Sequence, residues 1–575
     1  MGGKMANFIK TQNSFAHGVV SSEFFTRDDI NGLSCLENMD VLPGGGLTRR
    51  RGLTHIAELP GVARLVPFSV SETENYVLAI TSGHIIIYSG TQMMGDLFAP
   101  WGADDLSRLQ YAQRFDTMIF VHPDYRPQIL KKTETGFELV DFIFARNDDD
   151  MSMNIPFMRF EDTSDIKISV STSDRGNNYA KFTTSSDFWT PEYVRTRFML
   201  LDRQWIIDEY ISPTEVIAYV NGTYTAPGAP VSDWFESAFS TPRGWPCSIT
   251  FHQDRLVFGG SRSYPAGVWM SRVGQHKNFN IGTGLDDEAI FITLLSQQRQ
   301  QICTVVSGDN LQILTTDGEW AISSKPLTPS VIDIKQHTSV GSCASRYLPP
   351  QKIEGATIFV SKTMRDIREL SLDALGENYN ATDLCAFAKH LMTSPVDMAY
   401  NDATRQLFVV QSDGNMAVLN QNGALGISAW AEYKTYGKFI SVTVVDGKTY
   451  VVSLRDDAYN IECFSDSVMQ DADKYDFAYR AASLPFRVSH HNVSRLRIRR
   501  VSLRLLNTKS VFINGARATL PNEIYSENHP GYSGDVSVSL LGGCQSCLSP
   551  YWTIHGNEPQ PITVLSVCVS GGYSV

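Results

Sequence analysis

No apolar run in this 575-residue chain reaches the roughly 18 residues that a membrane-crossing helix requires, so no membrane insertion is expected. No basic segment followed by an apolar stretch opens it, so no secretory signal is expected either. Excess positive charge is also missing: 49 Lys and Arg face 61 Asp and Glu, for a net charge of −12. That excludes a chain-wide basic footprint for gripping nucleic acid. The nine cysteines are scattered through a long chain, which is not a disulfide framework. Only Cys544 and Cys547 have pair spacing, and no second pair completes a zinc site. Gly-x-Ser-x-Gly, the Walker loop and His-Glu-x-x-His are absent. Folding in a reducing cytoplasm is the expectation.

What is present is apolar and strand-like. Hydrophobic residues make up 42% and aromatic residues 11%, enough for buried cores, and the length predicts two to four domains. Short strands and turns follow one another closely from residue 54. The segments 109–121, 249–258, 302–314, 355–361, 398–410 and 441–452 share one plan: a strand, a polar turn on Asp, Asn or Gly, and a second strand. Such a unit is the inner half of a propeller blade. The expected fold is mainly β: an irregular β-propeller-like platform with an inserted small β domain and a C-terminal β domain. A set of β-sandwiches is the alternative.

The expected divisions are an N-terminal arm and turn over 1–53, propeller-like parts over 54–141 and 246–483, an inserted β domain over 142–245 and a C-terminal β domain over 484–575. Short helices are predicted over 104–113 and, as a helical or turn segment, 26–39. Asn221-Gly222 and 511–515 each predict a hairpin. Gly44, Gly45 and Gly46 after Pro43 are predicted to supply positive φ angles for a tight reversal. Arg49, Arg50 and Arg51 are read onto the strand entering the first repeat.

Candidate chemistry is sparse. Asp148, Asp149 and Asp150 offer oxygens, but neither a mid-loop glycine nor a downstream glutamate completes a calcium loop. Asp286, Asp287 and Glu288 are adjacent, whereas a glycosidase needs two carboxyls flanking one bond. His490 and His491 are neighbours, which on a strand would face opposite ways and share no metal, and they read as a surface turn; His252 reads as a hydrogen-bonded core or loop histidine. No catalytic residue, metal or cofactor is expected, and no enzyme. The strand over 494–504 alternates Arg495, Leu496, Arg497 and Ile498, then doubles Arg499 and Arg500 before Arg504. It has a basic and an apolar face, and the doubled pair predicts a bulge. This row is expected at an interface, pairing with carboxylates of a second chain, or simply solvated; facing a channel is the alternative.

The N-terminal stretch carries Phe15, Gly18, Ser21, Arg27, Asn38, Pro43, Gly46, Leu47, Arg49, Arg50 and Gly52. In that order these residues resemble the N-terminal signature of the tail nozzle, or tail tubular, proteins of short-tailed bacteriophages and related prophages. The family signature ends in roughly Gly-Leu-x-Arg-Arg-Pro-Gly-Thr; Arg51 and Leu53 stand here in place of Pro and Thr, and His17 where glycine is usually doubled. Weaker similarities run through 255–260, 286–290, 314–320, 379–383 and 559–565. The resemblance implies a structural virion protein, made in the host cytoplasm and built into the tail as the distal nozzle. It implies a homo-oligomeric ring, usually a hexamer, whose signature residues serve assembly. Its implied partners are a tail adaptor, tail fibres or spikes, and genomic DNA passing without base readout, held and then released on ejection. An acidic channel would repel duplex phosphates and let DNA slide. The alternative is a tail-associated carbohydrate-binding or glycan-degrading β protein.

Overall fold

The computed structural model describes residues 6–574 except 26, 28, 148–151, 297, 466–468, 473–474, 488–494, 526–528 and 541–542, with the backbone alone at 523 and 525. Asp148, Asp149, Asp150, His490 and His491 therefore lie outside the described residues. The chain divides into two compact units: Met1–Asp96, Leu348–Leu372 and Ala381–Val575 form the first, Leu97–Tyr347 and Asp373–Asn380 the second.

The fold is mainly β, an irregular β-propeller-like platform with an inserted small β domain and a C-terminal β domain. In the first unit, the opening strands Gln351–Ile353, Pro395–Asn401, Lys438–Val445 and Arg64–Ser69 lie side by side in that order, each leading an antiparallel meander. The second unit repeats the arrangement with Gln110–Arg114, Ser248–His252 and Ile302–Ser307.

The strand Arg255–Gly259 shows how the meanders cohere. Leu256 and Phe258 pack with Ile119, Val121 and Ile129 of the preceding meander, while Val257 joins Val305, Leu311 and Ile313 of the following one. Successive side chains leave a strand on opposite faces, so a sheet covered on both faces needs an unbroken apolar run. Each full burial of such a side chain contributes about 1.5–3 kcal/mol.

The meander that begins at Lys438 is completed from the other end of the sequence. Gly52–Leu59 pairs antiparallel with Ala458–Ser465 as its outermost strand. The segment after the three arginines thus closes the last repeat instead of entering the first, as the sequence suggested. A strand supplied by the chain start satisfies an edge that would otherwise be left unpaired.

Between the meanders at 110–141 and 248–293, a seven-stranded antiparallel sheet spans Phe157–Met158 to Trp234–Ser237, with Phe182, Phe198, Trp205 and Trp234 in its core. The C-terminal β domain pairs Arg495–Thr508 with both Tyr532–Ser539 and Thr563–Ser574. Ala6–Gln12 and Leu47–Arg49 add to Thr563–Ser574, and Leu33–Glu37 pairs with Tyr479–Ser483. The stretch expected as an arm is woven into that domain.

Local expectations fared unevenly. The helix expected over 104–113 is a 3-10 turn, Asp105–Arg108, followed at once by the strand Gln110–Arg114. Over 26–39, the described residues form the strand Leu33–Glu37 and the start of Met39–Val41, with the single 3-10 turn earlier, at Ser22–Phe24. In both places pairing with a neighbouring strand outweighs weak local helix preference. Asn514-Gly515 makes its hairpin, with φ of 47° and 83° joining Phe512–Ile513 to Ala516–Arg517. Asn221-Gly222 makes none: only Gly222 has positive φ, and the following residues, with Pro227 and Pro230, form no adjoining strand.

Candidate functional site

Three of the signature residues, Asn38, Arg49 and Arg50, meet in a buried knot inside the first unit. Arg50 lies at its centre with all five N–H donors used. Nη1 and Nη2 reach Asp471 at 3.0 and 2.8 Å, Nε reaches Asn38 Oδ1 at 2.8 Å, and the remaining two go to the carbonyls of Arg51 and Lys434. The planar fork of arginine suits this two-point bond to a carboxylate. The guanidinium also lies over Phe477, 3.8 Å from the ring centroid. Asp471 accepts from Thr435 as well, and Arg455, bonded to Glu462, comes within 3.9 Å of it.

Arg49 is buried and makes no ion pair among the described residues. It donates to the carbonyls of Phe477, Glu558 and Gln560 and lies over Phe477. Burial lowers its pKa to about 10. Asn38 holds a left-handed backbone, φ 53°, which asparagine tolerates better than most residues. Its Nδ2 donates to the Ala478 carbonyl, and its Oδ1 accepts from Arg50 and the Lys434 amide.

Gly18 has φ 58° and runs against Trp430; a Cβ there would stand 2.3 Å from the Trp430 carbonyl oxygen. Only glycine fits such a position. Phe15 is buried edge-on against Trp552. The reversal after Pro43 is closed by Gly45 alone with φ 82°, while Gly46 lies close under Val564. Gly52 is buried where the closing strand starts. Ser21 is hydrogen-bonded to His390 at 2.8 Å, and Arg27 is exposed and bonded to Asp29. Within the chain, then, Phe15, Gly18, Asn38, Gly46, Arg49, Arg50 and Gly52 tie its own strands together; Ser21, Arg27 and Pro43 lie nearer the surface.

The arginine strand, Arg495–Thr508, alternates as its sequence predicts. Arg495, Arg497, Arg499, Arg500 and Arg504 are exposed, and Leu496, Ile498, Val501 and Leu503 are buried. Its register against Thr563–Ser574 shifts between Ile498 and Arg500, where the doubled arginine predicted a bulge. Arg504 makes a two-point bond with Asp535, and Arg499 donates to Asn7. Among the described residues, Arg495, Arg497 and Arg500 make no ion pair. Hydroxyl side chains flank them: Ser570 and Ser539 stand opposite Arg500 on the two neighbouring strands.

The other candidates are occupied with local structure. Glu288 accepts the N–H groups of Leu285, Gly284 and Thr283, which hold its carboxyl below the usual range. Asp287 is bonded to Arg272, and the Asp286 and Glu288 carbonyls accept from buried Arg255. These acids clamp one loop. His252 is buried and hydrogen-bonded to Ser307. Cys544 and Cys547 carry free thiols, and no group of metal-ligating side chains occurs among the described residues.

One arrangement had no sequence signal. In the second unit, a cavity of about 530 Å³ brings together Arg108, Arg262, Arg299 and Arg346 with Asp124. These residues come from separate turns and meander entries, so their proximity is set by the fold.

No protein-family model matches the chain, and no curated protein matches its sequence. Solved structures similar to it include the WD40 repeats of RRP9, at 6% identity over 72% of this chain and 98% of that one, TM-score 0.38. BamB from Moraxella catarrhalis is similar at 12% identity over 71% and 97%, TM-score 0.34. The computationally designed Ika8 protein is similar at 10% identity over 72% and 99%, TM-score 0.36.

Proposed function

We propose that this chain is a structural subunit of a bacteriophage tail, a member of the distal nozzle ring that encloses the DNA channel. The reading rests on the resemblance of its N-terminal stretch to that family. What supports it is the weight those residues bear: Gly18, Asn38, Arg49 and Arg50 occupy positions whose backbone or hydrogen-bonding demands few other residues meet. A signature made of such positions is a signature of a fold, and is harder to acquire by chance than a row of surface residues.

In this reading the chain works mechanically, with no bond made or broken. Identical subunits form a closed ring, six by analogy with the family, which docks on a tail adaptor and carries fibres or spikes. Arg495, Arg497 and Arg500 are a ready row for carboxylates of a neighbouring subunit, abundant on a chain of net charge −12. Facing a channel, the same row would meet DNA phosphates without reading bases. The virion tail would be its location.

The test is direct. Purified chain, alone and mixed with a tail adaptor, is imaged by negative stain and sized by sedimentation. Rings with an axial opening are the expected result. Particles that stay monomeric in every condition, and never dock on an adaptor, would overturn the reading.

A further inference from the structure

The cavity of the second unit is a concentrated positive feature of an acidic protein. Four arginines line it against one aspartate. Asp124 is shared by two of them: Arg108 Nη2 reaches it at 2.6 Å and Arg262 Nη1 at 3.2 Å. Arg299 and Arg346 make no ion pair among the described residues. The lining thus keeps a surplus of about three positive charges, counting one unit per ionised side chain. The buried Cys247 and Cys303 thiols do not offset this, because burial raises them far above neutrality and keeps them uncharged.

Gln300 is a fixed part of the cavity wall. It is 4% exposed and lines the cavity. Its Oε1 accepts from Thr315 Oγ1 and Trp320 Nε1, both at 3.2 Å, which fixes the orientation of the amide. The Nε2 group is left buried without an acceptor among the described residues.

The size and remaining lining narrow the guest. A volume of about 530 Å³ falls among small-molecule sites and is far larger than one tetrahedral ion needs. Gln110, Gln301 and Thr316 add groups suited to hydroxyls, and Tyr347 adds an aromatic ring. We propose that this cavity binds a small sugar bearing an oxyanion: a carboxylate, a phosphate or a sulfate. Arg299 and Arg346 take the anion, and the amides take ring hydroxyls. The assignment is independent of the tail reading, since a chain that never forms rings would keep the cavity.

The experiment is calorimetric titration of the full chain with glucuronate, galacturonate, glucose 6-phosphate and glucose 6-sulfate. Neutral glucose, galactose and inorganic phosphate serve as comparisons. At least one charged sugar is expected to bind saturably, about tenfold or more tighter than its neutral parent, and to weaken as salt rises. Arg299→Ala and Arg346→Ala should each lower that affinity about tenfold without shifting the thermal midpoint, since neither holds an ion pair. Absence of saturation with every charged sugar would overturn the proposal. So would inorganic phosphate binding as tightly as the sugars, or full affinity surviving in the double variant.

Discussion

Arg50 and Asp471, 421 positions apart in sequence, meet in a two-point bond of 3.0 and 2.8 Å with neither side chain exposed. The bond joins the chain start to the segment that follows the last meander. Removing one charge strands the other in an environment that cannot solvate it. Arg50→Met should therefore cost roughly 3–5 kcal/mol, read as a lower denaturant midpoint at unchanged slope. The double variant Arg50→Met, Asp471→Leu should recover part of that loss. A single variant as stable as the parent would show that the knot is dispensable.

Gly18 and Gly44 offer a matched pair within the same stretch. At Gly18 a methyl group would meet the Trp430 carbonyl and demand a strained backbone; at Gly44 it would meet nothing within 4 Å. Gly18→Ala should destabilise by roughly 2–3 kcal/mol, and Gly44→Ala by less than about 0.5 kcal/mol. Thermal melts of the two proteins side by side make the comparison.

His122 should give the protein an acid sensitivity. Its ring is buried, its Nδ1 accepts the Asp124 amide, and its Nε2 makes no hydrogen bond among the described residues, with Asp105 Oδ1 3.9 Å away. Burial and the nearby Arg108 lower its pKa from 6.5 to about 4, outweighing Asp105 and Asp124. The folded value is depressed, so between about pH 6.5 and pH 4 the unfolded chain binds more protons. The stabilisation is complete above the unfolded value and is lost as pH falls through that window. Urea midpoints should drop between pH 7 and about pH 5, and should drop less in His122→Gln. Equal slopes in the two proteins would assign the acid sensitivity elsewhere.

Arg497 and Arg500 separate folding from assembly. Both are exposed and make no ion pair among the described residues, so reversing them to Glu should leave the melting temperature unchanged. The same change should abolish or weaken ring formation, and raised salt should weaken the parent ring in the same direction. Sedimentation of parent and variant at two salt concentrations gives the answer. A variant that assembles like the parent would remove this strand from the interface.

Much of the platform was legible before any coordinates. The segments 249–258 and 302–314 read as strand, polar turn and strand, and each is such a pair in the structure. The helix expected at 104–113 misled because a few residues at helical spacing say little when a neighbouring strand can claim them. Asn514-Gly515 and Asn221-Gly222 carry the same dipeptide, yet only the first is followed by residues able to pair.

Sequence alone determined which residues can sit inside: alternation gave Arg495–Thr508 its two faces, and the apolar run 256–258 its burial on both sides. It also marked Gly18 and Asn38 as unusual without saying why. The tertiary structure decided what lies beside what. Gly52–Leu59 closes a meander some four hundred residues downstream, Arg50 finds Asp471, and four arginines from separate turns share one cavity. The reason is physical: local pattern follows from the two-residue period of a strand, whereas pairing between distant segments depends on how the whole chain returns to satisfy its edges and buried charges.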